Sequence, residues 1–167
     1  MSRAFVNEDN NAQQTSQPVE RRVSEQPNYV TAHGLVLLQG QVRELQARHR
    51  EQSGLGDKAD KQSLVDIERD LRYYTQRLQS AQVVTPALST DKVQIGSWVT
   101  YADEDDVHHR VQLVGEDQAD AAHGLINWGS PLGRALLGAR PGDEVLWKRP
   151  AGERLIEVLD IEADPGT

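Results

Sequence analysis

Two sets of apolar residues step along this chain by threes and fours. Leu35, Leu38, Val42 and Leu45 follow one another at intervals of 3, 4 and 3, and Leu64, Ile67, Leu71, Tyr74, Leu78 and Ala81 at 3, 4, 3, 4 and 3. That spacing places each set on one stripe of an α-helix, the seam of a coiled coil. Between them lies Gln52-Ser53-Gly54-Leu55-Gly56-Asp57, a breaker with two glycines and an Asp suited to capping the helix that follows. Two seams with so short a connection must fold back on each other. The pattern therefore predicts an antiparallel coiled-coil helical hairpin over residues 29–84, with Thr31 as N-cap of the first arm. Arms of roughly 23–25 residues would reach about 35 Å. Continued beyond Leu45, the stepping falls on His49 and Gln52, both polar. The tip is thus solvated or rests on a partner, and the hairpin should be anchored at its other end.

Residues 1–28 are rich in Gln, Asn and Ser, show no apolar period, and read as a disordered tail in which Phe5 and Val6 are the apolar exceptions. Residues 85–92, which include Thr85-Pro86-Ala87-Leu88-Ser89, read as a linker. After it the period shifts toward 2, and strands are predicted at residues 97–101, 110–114, 125–128, 144–148 and 154–161. One short helix interrupts them, with Ser130 as N-cap, Pro131 in the first position and Gly138 as the stop. Residues 93–163 are expected to form a small α+β domain with an antiparallel sheet, followed by a tail over 164–167.

Charge separates these regions. Residues 1–28 hold 4 acidic and 3 basic side chains, residues 29–90 hold 7 and 8, and residues 91–167 hold 15 and 7, so the net charge of −8 sits in the last region. That balance argues against free-standing nucleic-acid binding by phosphate neutralisation, and a 5% aromatic content argues against a base-stacking platform. The absence of cysteine removes disulfides, thiolate chemistry and Cys-ligated metals. No apolar run is long enough to span a membrane, and the first residues lack the pattern of a secretory signal, so a cytoplasmic monomer with a protein partner is expected. Asp103-Glu104-Asp105-Asp106 followed by His108-His109 resembles a metal site in composition. Consecutive strand residues point to opposite faces, however, so a hairpin turn is the expected use of that string. Trp98, Trp128 and Trp147 fall on predicted strands and read as core. No phosphate-binding or hydrolase motif occurs.

Three strings carry a family resemblance. Val114-Gly115-Glu116-Asp117-Gln118-Ala119-Asp120 is similar to V-G-x-D-E-A-D, and Ser130-Pro131-Leu132-Gly133-Arg134-Ala135-Leu136-Leu137-Gly138 to S-P-x-A-R-A-L-L-G, at matching separation. Ser80-Ala81-Gln82-Val83-Val84 is similar to N-A-Q-V-I. On these the chain resembles the bacterial Gre-type transcription elongation factors, GreA and GreB, and the related Rnk proteins, over roughly residues 29–163. The resemblance implies an FKBP-like C-terminal domain, docking on RNA polymerase at the rim of its secondary channel, contact with nascent RNA only through the polymerase, and no enzyme activity or bound metal of its own. Two tip carboxylates would help to hold a polymerase active-site Mg²⁺. In Gly56-Asp57-Lys58-Ala59-Asp60 these would be Asp57 and Asp60, the second in place of the family's Glu. Spacing of i,i+3 at a helix start would put both on one face; helix capping accounts for the same residues. Arg48, Arg50, Lys58 and Lys61 are candidate RNA or channel contacts, or equally a solvated surface. The polymerase-docking candidates are Asp117, Asp120, Ser130, Pro131, Leu132 and Arg134.

Two departures qualify the match. Gly34 to Asp57 is 23 residues and Asp57 to Ala81 is 24, so each arm is about one heptad, or about 10 Å, short of the cleavage factors' arms. Gly129 stands where the family often has Asp or Asn. The short arms leave open a Rnk-like regulator that occupies the channel without stimulating cleavage. A prolyl isomerase, suggested by the FKBP-like fold alone, would need an aromatic pocket, and the chain has one phenylalanine.

Overall fold

The computed structural model of the chain describes residues 19–165. Phe5 and Val6 lie outside the described residues. The chain separates into two compact units, residues 39–79 with 19–25, and residues 26–38 with the chain from residue 80 onward.

Most of two long helices falls in the first unit, while residues 32–38 and Ser80 at their ends fall in the second. Helix α1 spans Ala32–Gly54 and α2 spans Lys61–Ser80, joined through a 3-10 turn at Gly56–Lys58. Gly56 makes this reversal with φ +57°, a left-handed value that favours glycine. Leu38, Val42, Leu45 and Ile67 of the apolar seams are buried, and Leu64, Leu71, Tyr74 and Leu78 are half-buried. The two polar seam positions close the turn by hydrogen bonding: His49 Nε2 lies 3.1 Å from Glu68 Oε1, and Gln52 Oε1 accepts from Asp60 N at 3.2 Å. Part of the expected N-terminal tail is ordered against α2. Glu20 pairs with Arg72 and Arg21 with Asp70, because α2 offers charges complementary to theirs.

The second unit holds two sheets. Strand β1 (Tyr29–Val30) pairs in parallel with β2 (Gln82–Val83), with Gln82 N donating to Asn28 O at 2.8 Å and Val84 N to Val30 O at 2.9 Å. Thr31 caps α1 as predicted, its Oγ1 accepting from Gly34 N at 3.0 Å. The larger sheet contains β3 (Trp98–Ala102), β4 (His108–Val114), β5 (Leu125–Asn127), β6 (Glu144–Arg149) and β7 (Gly152–Glu162) in the order β5-β4-β3-β7-β6. Helix α3, Pro131–Leu136, packs against it. The inward positions of the strands join Leu132 and Leu136 of α3 in one core with Val99, Tyr101, Leu113, Ile156 and Val158.

The sheet is mixed, which corrects the antiparallel expectation. β5 runs parallel to β4, with Gln112 opposite Leu125 and Val114 opposite Asn127. Residues 115–124 form a short crossover containing a 3-10 turn at Ala121–His123 and Gly124 at φ +73°. A crossover of this kind returns the chain to the start of the neighbouring strand, which a hairpin turn would not do. The linker is tied down as well: Ala87 is buried and accepts from Asp164 N at 2.8 Å. The Asp103–Asp106 string forms the β3–β4 turn, where the Asp103 carboxylate accepts from Asp105 N at 2.9 Å, Val107 N at 3.0 Å and His109 Nε2 at 2.9 Å.

Candidate functional site

Two surfaces bring together the residues singled out from the sequence. The first is the end of the two-helix unit. Asp57, Lys58, Asp60, Lys61, Arg48 and Arg50 are all exposed there. Asp57 and Asp60 do not share a helix face, because Ala59 between them is extended at φ −63° and ψ 141°. Asp57 sits within the 3-10 turn and Asp60 is the residue that caps α2, its Oδ1 accepting from Gln62 N at 3.1 Å and Ser63 N at 3.2 Å. The capping function expected of Asp57 therefore falls three residues later, where the chain enters the long helix. Asp57 has no hydrogen-bond partner among the described residues. Carboxylates are suitable ligands for a hard cation such as Mg²⁺, which takes one or two of them and completes its shell with other oxygens. No group of three or more metal-ligating side chains converges among the described residues.

The second surface surrounds α3. Ser130 caps the helix, accepting from Gly133 N at 3.1 Å while its Oγ donates to Asn127 O at 2.7 Å. Pro131 and Arg134 are exposed, whereas Leu132 is 7% exposed and belongs to the core. Gly133 is required by packing: a Cβ there would collide with the carbonyls of Asn127 and Trp128. Asp117 is half-buried near the end of β4, while Asp120 lies at the other end of β5, bonded through its backbone to Leu125 and through its carboxylate to His123 Nδ1 at 2.6 Å. The six docking candidates thus divide: Ser130, Pro131 and Arg134 lie at the start of α3, Leu132 faces inward, Asp117 is half-buried just past β4, and Asp120 lies beside the start of β5.

Sequence reasoning missed Leu146 and Lys148. They line a groove of about 490 Å³ with Gly129, Pro131, Arg134 and Ala135. The signal was present in the alternation of β6, where Val145 and Trp147 pack on the core and their neighbours turn outward. The Gln26 side chain reaches Gly129: its Nε2 donates to Gly129 O at 3.5 Å, and a Cβ at 129 would displace this movable amide. Near the start of α1, Thr31 Oγ1 donates to Gln118 Oε1 at 2.7 Å, which ties the helix start to the loop carrying Asp117.

Comparison with known proteins places these features. The family described as Transcription elongation factor, GreA/GreB, C-term matches residues 88–163. Transcription elongation factor GreB of Neisseria meningitidis serogroup B is 35% identical over 156 residues, covering 83% of this chain and 96% of that protein. GreA of Sphingopyxis alaskensis is 40% identical over 105 residues, covering 62% of this chain and 66% of its own length. Among solved structures, GreA factor homolog 1 of Thermus thermophilus aligns with a TM-score of 0.40 at 23% identity, over 82% of this chain and 99% of that one. The chain belongs to the GreA/GreB family of transcription elongation factors. No helix among the described residues is long and apolar enough to cross a membrane.

Proposed function

We propose that this protein binds RNA polymerase and acts through its secondary channel, docking by the α3 edge and presenting a helical hairpin tip toward the active site. The observation that carries this reading is the composition of the tip: two exposed carboxylates and four exposed cations at one end of the unit, with no metal-ligand cluster among the described residues. Such an end has chemistry to offer only to a molecule that supplies the rest. Antiparallel arms are supported by pairs that converge in sequence, Asn28 with Gln82, His49 with Glu68 and Gln52 with Asp60. An FKBP-like fold for the C-terminal unit rests on the family alone.

Hydrolysis of a backtracked transcript needs a metal-activated water and a stabilised leaving oxygen. Asp57 would supply a carboxylate oxygen to a polymerase-held Mg²⁺, and Arg48, Arg50, Lys58 and Lys61 would face RNA or the acidic surroundings of that ion. On this reading the protein would contribute a ligand to the polymerase's centre and act as a factor on that enzyme. Pro131, Arg134 and Lys148 would form the docking contact at the rim, with Ser130 and Gly133 holding the helix in place.

A second reading keeps the docking and omits cleavage. It is favoured by α2, whose 20 residues extend about 30 Å, and by Asp60, whose Oδ1 already holds the helix cap. One assay decides between them. Polymerase stalled on a backtracked template is incubated with the parent protein and with Asp57→Ala. Shortened RNA from the parent and about a hundredfold less from the variant is the expected result. A parent that yields no shortened RNA yet displaces a cleavage-competent factor establishes the second reading.

A further inference from the structure

The ordered segment before β1 meets α2 through two unlike contacts in adjacent residues. The Glu20 carboxylate accepts from Arg72 Nε at 2.7 Å and from Arg72 Nη2 at 2.9 Å, a two-point fork. The Arg21 guanidinium lies 3.9 Å from the Tyr73 ring centroid and 5.0 Å from that of Tyr74, and its Nη1 is 3.4 Å from Asp70 Oδ1. Tyr73 and Tyr74 meet edge to face at 5.0 Å, so they offer the cation a fixed pair of rings. Each contact alone is weak at an exposed site. Together they set a register, since a shift of one residue would bring Arg21 against Arg72.

We infer that Glu20-Arg21 is an intramolecular ligand of the Asp70–Tyr74 face of α2, a strap that masks this face from a partner gripping the hairpin. The identity of that partner rests on the polymerase reading above. Arg72 is twelve residues beyond Asp60, about 18 Å back from the tip at helical rise. The strap therefore lies well back from the tip, and only a partner that encloses the hairpin that deeply meets it. Release of the strap also frees Arg72, which lines a groove of about 640 Å³ with Glu68, Leu71, Thr75, Gln76 and Gln79. A surface that must first be vacated binds with an affinity reduced by its open fraction, so the strap sets a threshold for full insertion.

Tryptic cutting after Arg22 of the full chain reads release of the strap. Arg72→Glu is expected to accelerate that cut about fivefold and Tyr73→Ala about threefold. About 0.5 M salt should act on the parent as Arg72→Glu does, by screening the exposed pair. Reversing both charges, Glu20→Arg with Arg72→Glu, should return the rate to within about twofold of the parent. Equal rates in the parent and Arg72→Glu overturn the strap. The masking is read separately by titrating RNA polymerase with the parent and with Glu20→Ala/Arg21→Ala, which should bind about threefold more tightly. Equal or weaker binding by the variant overturns the masking. Should neither version bind, the polymerase reading fails, and the protease measurement still decides the strap.

Discussion

The sheet unit and the two-helix unit keep their shapes by different means. In the sheet unit the inward faces of β3, β4 and β7 and the inner side of α3 form one continuous core, with Val99, Leu113, Leu136 and Val158 at 0% exposure. In the helical unit the seam loses its apolar character before the tip, and the outer part relies on the His49–Glu68 and Gln52–Asp60 bonds. Removing water from apolar surface makes a rigid platform, whereas exposed polar contacts stay replaceable. The proposed function would place the docking surface on the first kind of body and the exchangeable tip on the second.

That contrast can be broken experimentally. Leu113→Ala removes a side chain with no exposed surface and should cost about 2–5 kcal/mol in urea unfolding. A cost below about 1 kcal/mol would show that the sheet core is not the rigid element. Gly133→Ala forces a methyl against two carbonyls and should cost about 1–3 kcal/mol, with polymerase affinity lost alongside because α3 moves. Asp60→Ala should cost about 1 kcal/mol through the lost cap, while Asp60→Asn should stay within a few tenths of the parent. Asp60→Asn therefore tests charge at the tip apart from the cap: unchanged activity with unchanged stability would confine Asp60 to capping.

The smallest effect concerns pH. The hydrogen bond from His109, aided by the Val107 and Asp105 amides, holds the Asp103 carboxyl below its ordinary range. A carboxyl depressed in the folded state stabilises the fold above its unfolded pKa and loses that contribution as pH falls through the folded value. Stability should therefore decline below about pH 4, and His109→Ala should make that decline shallower. The carbon-13 resonance of the Asp103 carboxyl gives the direct measurement. A midpoint at the ordinary carboxylate value in the parent would remove the effect.

Much of this was legible in the chain itself. The 3,4 stepping located both long helices, the Ser130-Pro131 pair located the start of α3, and Gly138 at φ +83° stands where its stop was expected. The docking and tip candidates were named by motif, but where the fold would place each of them was not. Leu132 turns inward because its place on α3 faces the core, and Asp120 stands apart from Ser130 because β5 runs parallel to β4. Asp57 and Asp60 separated because the helix start fell three residues later than the glycine-rich string suggested.

By itself, then, the sequence determined most features that depend on near neighbours along the chain: helical period, strand alternation, the caps at Thr31 and Ser130, and the positions of turns. Only the tertiary structure decided which distant segments meet. The parallel partner of β4, the pairing of β1 with β2, the placement of Gln26 against Gly129 and the hold of Glu20-Arg21 on α2 are all of this kind. Local periodicity reports which face of an element seeks cover, and it is silent on what covers it, because that choice is made by every other surface left unpaired once the elements have formed.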